Sequence, residues 1–529
     1  MTTIALVKTR SAASAGALSL LLALTGCAAG PRYVKPPAPL NAGWAEKDDA
    51  RLTTQALPDT AWWRAFGDET LDRLIQLAYH QNLPLRVAGV RIMEARAQLG
   101  IAVGRQYPQV QAAFGSATAI QISEHQANIP GFDRNFWDYQ VGFDASWELD
   151  FWGKYRKDVQ AAGGAYLATV ADYDDALVTL TAEVARTYTV IRTFEALIAQ
   201  ADSNVTLQQE GLRIAQSRFR NGATSELDVA QATTLLESTR QTVPTLRSGL
   251  QQAQNALSTL LGQPTGSLTA MLGPRTGIPA APAQVSISVP AEMLRRRPDI
   301  RSAELTAISQ SARVGVAKAD LYPRFTLFGR IGTQASSATQ PFTGQEGSAG
   351  NLFGPGSLYY LFGPRINWTI LDYGRTKNNI RAQDARLEQL LIGYQSSVLK
   401  AAQEVEDGLA GFLRAQEAEV FARNAATSAA RSAQLAYVQY REGAVDYQRV
   451  LDAQRSLLQE ENTLVRTRSS IATNLISVYK ALGGGWEMRR GQPFVPDSTQ
   501  AEMKKRTNWG DYLSNPPTVK VDHVISNPR

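Results

Sequence analysis

Arg218-Phe219-Arg220-Asn221-Gly222-Ala223 opens onto a long helical pattern that stops at Leu261-Gly262. About 221 residues further on, Gln439-Tyr440-Arg441-Glu442-Gly443-Ala444 opens a similar pattern that stops at Leu482-Gly483. Other pairs fall on nearly the same shift. Ala102-Val103-Gly104-Arg105-Gln106-Tyr107-Pro108 matches Ala317-Lys318-Ala319-Asp320-Leu321-Tyr322-Pro323, and Ser146-Trp147-Glu148-Leu149-Asp150 matches Asn367-Trp368-Thr369-Ile370-Leu371. The period is far longer than a solenoid unit. Gly, Pro and Trp landmarks in one order through both halves read as an internal duplication.

Upstream of each glycine turn lies a helix too long for a compact domain. From Lys154 to Phe219 there is no proline, and Leu177, Leu180, Val184, Tyr188, Ile191, Phe194 and Ile198 keep a three-and-four spacing. That spacing marks a helix stripe. The counterpart runs from Thr376 to Tyr440, with Leu387, Leu391, Tyr394, Val398, Val405 and Phe412 on its stripe. At 1.5 Å per residue each rod is roughly 100 Å long, and uninterrupted periodicity of this length implies a coiled coil. Each rod turns at Gly222 or Gly443 and returns as a shorter helix; Pro244 inside the first return predicts a bend or a register adjustment there. Shorter helical stretches over 68–106 and 291–321 complete the halves.

Between the helices sit two strand-like pairs. Tyr139, Val141, Phe143, Ala145 and Trp147 alternate with polar or small residues, and Val110, Ala112 and Phe114 precede them. This is the period-two pattern of a sheet with one apolar face. In the second half Phe325, Leu327 and Ile331 lead through a Ser/Thr/Gly-rich loop to Tyr360, Phe362, Ile366, Trp368 and Ile370, with Arg330, Arg365 and Asn367 on the opposite face. Four strands are too few for a closed membrane barrel, which takes about eight or more, and open strand edges cannot sit in lipid. Closure then requires other copies: three would give a barrel of twelve strands.

Composition narrows the class. Of 529 residues 44% are hydrophobic and the mean hydropathy is −0.22. After the first 27 residues no run approaches the ~20 apolar residues of a spanning helix, so any membrane part is built from strands. The net charge of +6 includes Lys8 and Arg10, and no dense basic stripe points to nucleic acid. A single cysteine, Cys27, rules out an internal disulfide, and His80, His125 and His523 lie far apart. No catalytic set and no metal cluster is suggested, so no enzyme is expected.

Lys8 and Arg10 precede an apolar run from Ala12 to Leu24, the pattern of an export signal. It ends in Leu24-Thr25-Gly26-Cys27, which resembles the lipobox of bacterial lipoproteins. This implies a signal peptide over 1–26 and diacylglycerol on the Cys27 thiol as the only non-protein group. Several acyl chains anchor stably, each buried CH₂ contributing about 0.8 kcal/mol. Ala28 after the cysteine resembles sorting to the outer membrane. The mature chain divides into an acylated segment (27–67), a first repeat (68–262), a Pro/Gly/Ala-rich linker (263–290), a second repeat (291–486) and a tail (487–529) expected to be irregular.

Met293-Leu294-Arg295-Arg296-Arg297-Pro298-Asp299-Ile300-Arg301, Leu321-Tyr322-Pro323, Leu371-Asp372-Tyr373-Gly374-Arg375 and Leu451-Asp452-Ala453-Gln454-Arg455 resemble the TolC-type outer-membrane factor family, in its OprM/NodT-like lipoprotein branch. The likeness runs from Cys27 to Trp486. It implies a mainly α fold: a homotrimer whose twelve-stranded β-barrel in outer-membrane lipid continues into an α-helical barrel across the periplasm. It further implies a passive exit duct, joined by a periplasmic adaptor to an inner-membrane transporter of the resistance-nodulation-division type and conducting drugs or other small toxic compounds.

By the same resemblance, Asp452 and Arg455 help hold the periplasmic end shut. The family's apolar constriction residue falls at Gln448, which is polar here, leaving Tyr447 or the Asp452 ring to narrow the pore and Asp228 as a further partner. From the residues alone these charges read as a solvated helix pair contributing at most ~0.5 kcal/mol. Arg218, Arg220, Gly222, Arg441 and Gly443 form the helical tips and are expected to receive the adaptor. Two other readings stay within the class, a duct for type I secretion and one for metal-ion efflux. A non-conducting coiled-coil lipoprotein would leave the amphipathic strands without purpose.

Overall fold

In the computed structural model, residues 29–513 are described except for 54–60, 127–132, 267, 275–276, 288, 291, 293–295 and 340–343. Cys27, the signal peptide and Met293-Leu294-Arg295 lie outside the described residues. No helix among the described residues is long and apolar enough to cross a membrane.

The two halves repeat one order of elements. In the first, α1 (Glu69–Gln81) and α2 (Leu83–Gly104) lead into strands β2 (Val110–Gln121) and β3 (Asn135–Glu148), then α3 (Lys154–Arg220) and α4 (Glu226–Leu260). In the second, α5 (Pro298–Ala319) leads into β5 (Arg324–Ser336) and β6 (Leu358–Asn367), then α6 (Arg375–Arg441) and α7 (Tyr447–Ala481). Both rods have 67 residues and both returns 35. Short strands β1 (Leu52–Thr53) and β4 (Val285–Ser286) pair in parallel and tie the N-terminal segment to the linker.

Local chemistry explains the boundaries. Asn82 separates α1 from α2 because its Oδ1 accepts the Leu85 amide at 2.8 Å, capping a new helix that has proline in its first turn. Within the expected helix over 291–321, Pro298–Ala319 is a regular α-helix. At both tips a left-handed glycine ends the rod: Gly222 has φ +69° and Gly443 φ +81°. The Ala223 amide bonds the Arg218 carbonyl and the Ala444 amide the Gln439 carbonyl, each at 2.8 Å. These pairs satisfy carbonyls that a helix end otherwise leaves bare. Pro244 does not interrupt α4, which runs on to Leu260.

The four long strands form one antiparallel sheet in the order β2-β3-β5-β6. The junction between halves is β3 against β5, with Asp144 opposite Arg330. One face carries Val141, Phe143, Ile331, Tyr360 and Phe362, all exposed. The other carries Asp144, whose carboxylate takes a bidentate bond from Arg330 at 2.6 and 2.9 Å. Gly142 and Gly332 abut across the β3–β5 pair, where an added Cβ on Gly142 would stand 2.8 Å from the Gly332 Cα. Strand β6 ends at Asn367, short of the expected Trp368 and Ile370.

The main core lies where rods and shorter helices meet, around Trp63, Leu177, Tyr188, Val405, Phe412 and Val478. Burying each such side chain contributes about 1.5–3 kcal/mol. Arg297 fastens the second half there: its guanidinium bonds Asp299, Glu404 at 2.8 Å and the Ala481 carbonyl at 2.9 Å. The tail is not irregular throughout. Residues Asp497–Arg506 form helix α8, Val495 and Met503 are buried, and Thr499 accepts from Arg86 at 2.8 Å. Apolar residues at those positions have a surface on α1 and α2 to cover, which the weak local periodicity did not reveal.

Candidate functional site: the paired helical tips

The turns at Gly222 and Gly443 lie side by side, and Arg218 joins them. Its guanidinium bonds the Tyr440 carbonyl, reaches the Ala223 carbonyl at 3.4 Å and lies 4.7 Å from the centre of the Tyr440 ring. Arg218 is therefore a half-buried tie within the chain. Arg220, Arg441, Gly222 and Gly443 are exposed, and Arg441 bonds its neighbour Glu442 at 3.1 Å.

Behind the tips a small apolar cluster gathers Ala215, Ala232, Leu235, Tyr440, Tyr447, Val450 and Leu451. Tyr447 is only 1% exposed and meets Tyr440 edge to face at 5.2 Å. The expectation that Tyr447 narrows a pore is corrected: its ring is spent on packing the helices of one chain together. Asp228 is engaged within the chain. It accepts from the hydroxyls of Thr224 and, at 3.2 Å, of Tyr440. Burial and then the Asp228 charge push the Tyr440 hydroxyl up to about 12, so it stays protonated and donates.

The gate candidates stand exposed on α7. Asp452 accepts from the Gln448 side-chain amide at 2.9 Å, and Gln448 accepts in turn from Gln231 of α4 at 3.4 Å. Asp452 and Arg455 make no ion pair with each other among the described residues. Three residues apart on a helix, they diverge by a sixth of a turn. Arg455 instead borders a groove of about 480 Å³ between α4 and α7, with Ser238, Thr242, Leu458 and Arg466. Gln231 escaped the sequence reading, although it occupies in the first repeat the place of Asp452 in the second. Just inside, Gln208 and Gln454 are each 1% exposed, and none of their four amide atoms has a hydrogen-bond partner among the described residues.

This arrangement suits a mechanical end to a conduit. Long helices meet in a polar, hydrogen-bonded tip, and a sheet with an apolar face stands at the other end. A sequence profile of the outer membrane efflux protein family matches residues 74–263 and 289–484, one stretch in each half. OpmQ, a pyoverdine export outer membrane protein of Pseudomonas putida, is 30% identical over 459 residues, covering 86% of this chain and 93% of that protein. CusC, a cation efflux system protein of Escherichia coli, is 29% identical over 467 residues, covering 88% and 97%. The solved structure of the outer-membrane channel OprN superimposes with a TM-score of 0.80 at 30% identity, covering 87% of this chain and all of that one. With both halves matched and the fold shared along the helices and the sheet, the chain belongs to the outer membrane efflux protein family and is an outer-membrane efflux channel.

Proposed function

We propose that this channel is the exit duct of a tripartite efflux pump. Three copies close their four-stranded sheets into a twelve-stranded barrel, and the duplicated helical hairpins continue it as an α-barrel across the periplasm. Cys27 carries the lipid anchor. Drugs or other small toxic compounds pass down the duct passively, delivered by an inner-membrane transporter through a periplasmic adaptor that meets the tips at Arg220, Gly222, Arg441 and Gly443, with Arg218 holding the two turns together.

The observation that carries this reading is the open sheet. Its outer strands β2 and β6 each leave one edge without a strand partner among the described residues, yet one face of the sheet is a band of exposed aromatic and aliphatic side chains. Such edges are tolerated in lipid only when closed by pairing. The polar ring of Gln448, Asp452 and Arg455 supplies the gate, in keeping with their exposure on α7 close to the tips. A polar constriction fits a channel that passes solutes in water.

Two measurements test the reading. Purified protein in planar bilayers should give discrete conductance steps, whereas a coiled-coil tether would give none. Adaptor and transporter should co-purify with the channel, and deletion should raise susceptibility to the pump's substrates. Retention of full resistance after deletion, with no partners captured, would overturn it.

A further inference from the structure

The two halves superpose strand on strand by simple shifts. Adding 214 to β2 and 221 to β3 turns the pair Val110–Ser146 into Arg324–Asn367, which is the register observed between β5 and β6. Contacts beyond the sheet follow suit. The Trp147 indole donates to the Gln106 carbonyl at 3.2 Å, and its counterpart Trp368 donates to the Leu321 carbonyl at 3.0 Å. Equivalent residues therefore make equivalent contacts.

One set of contacts exists only once. At the junction of the halves β3 pairs with β5, and just beyond it Trp152 stacks on Tyr322 with ring centres 4.5 Å apart, its indole donating to the Pro323 carbonyl at 2.8 Å. The counterparts are Tyr373, immediately before the helix-starting Gly374, and Tyr107 of the matching Tyr-Pro. Neither has a ring partner among the described residues: Tyr373 is 105% exposed and Tyr107 64%. Tyr373 also holds φ +52°, the one positive value outside glycine among the described residues. Left-handed backbone at a bulky residue is strained and persists only where its surroundings impose it. Here Asp372 imposes it, accepting the Gly374 and Thr376 amides at 3.0 and 2.9 Å.

We propose that the seam between neighbouring copies repeats the junction inside one chain: Tyr373 stacks on Tyr107 of the partner subunit, and β6 pairs antiparallel with the partner's β2. The same shifts fix the register. Asp144 opposite Arg330 maps onto Arg365 opposite Ser116 of the partner subunit, and Trp147 opposite Leu327 onto Trp368 opposite Ala113 of the partner subunit. Faces agree, since Arg365 and Ser116 both lie on the polar side of the sheet. Neither ion pair of the inner junction carries over, since Arg365 faces the uncharged Ser116 of the partner subunit. Lys154 bonds Asp320 at 2.7 Å, but the counterparts are Arg375 and Arg105, and Arg105 is already engaged by Asp158 at 3.2 Å. The seam between copies thus lacks both ion pairs of the inner junction and leans more on the aromatic stack.

This inference rests on the assembly proposed above, and cross-linking separates the two. In the full chain, Arg365→Cys is combined in turn with Phe114→Cys, Ser116→Cys and Thr118→Cys, with Arg365→Cys alone as the control for Cys27. The outer two choices miss register by two residues, about 6.7 Å along the strand, beyond the narrow Cβ separation of a disulfide. Oxidised membranes should give covalent dimers and trimers for Ser116→Cys at about tenfold the yield of the other pairs. Tyr373→Ala and Tyr107→Ala should each lower the temperature at which the native oligomer dissociates, and together no further than either alone. Trimers by light scattering that link best through Phe114→Cys or Thr118→Cys would overturn the register and leave the trimer standing. Monomers would overturn both.

Discussion

The hydroxyl of Tyr440, at the end of α6, donates to the carboxylate of Asp228, in the first turn of α4, at 3.2 Å. This bond and the Arg218–Tyr440 contact hold the two hairpins of one chain together at their tips. Opening the end by moving one hairpin against the other must break them.

Tyr440→Phe and Asp228→Ala should therefore each favour the open end. A hydrogen bond to a charged group contributes about 1.5 kcal/mol or more, so either change should raise the open-to-closed ratio about tenfold. Single-channel recordings in planar bilayers read this directly. Unchanged conductance and open time in both variants would show that the tips do not report on the gate.

Asp452→Ala combined with Arg455→Ala should raise conductance by widening the polar ring and removing its charges. Gln448→Ala should act in the same direction, because Gln448 links Asp452 to Gln231. A closed pore with wild-type conductance would remove these residues from the gate.

Asp175 on α3 supplies a pH test. Burial, then the Asp299 charge, pushes its carboxyl up to about 6. The folded chain holds this proton more tightly than the unfolded one, so the contribution to stability is present below the ordinary carboxylate range and lost as pH rises through about 6. Asp175→Asn should melt higher than the parent at pH 8, by about 1–2 kcal/mol after discounting for partial solvent screening, and match it near pH 4. Equal melting at both pH values would contradict this.

The buried side-chain amides of Gln208 and Gln454 have no hydrogen-bond partner among the described residues. Unsatisfied buried polar atoms cost about 1–3 kcal/mol, so Gln454→Leu should raise the thermal midpoint of the purified channel. A fall in that midpoint would mean that the amides are bonded to water in solution.

Much of this molecule was legible in its one-dimensional pattern. Heptad-like stripes, the absence of proline and the left-handed requirement at Gly222 and Gly443 are local properties, and they placed both rods and both turns. Period-two alternation placed the strands for the same reason, since each side chain's face follows from its own position. Partners of individual side chains were a different matter. Tyr447 and Asp452 lie five residues apart on one helix, yet one is buried and the other exposed, because the rotation of α7 against α3 decides which face is covered. Asp228 chose Tyr440, more than 200 residues away, over any nearer charge. Periodicity along a helix fixes that a face is buried; only the packing of three helices around it fixes against what.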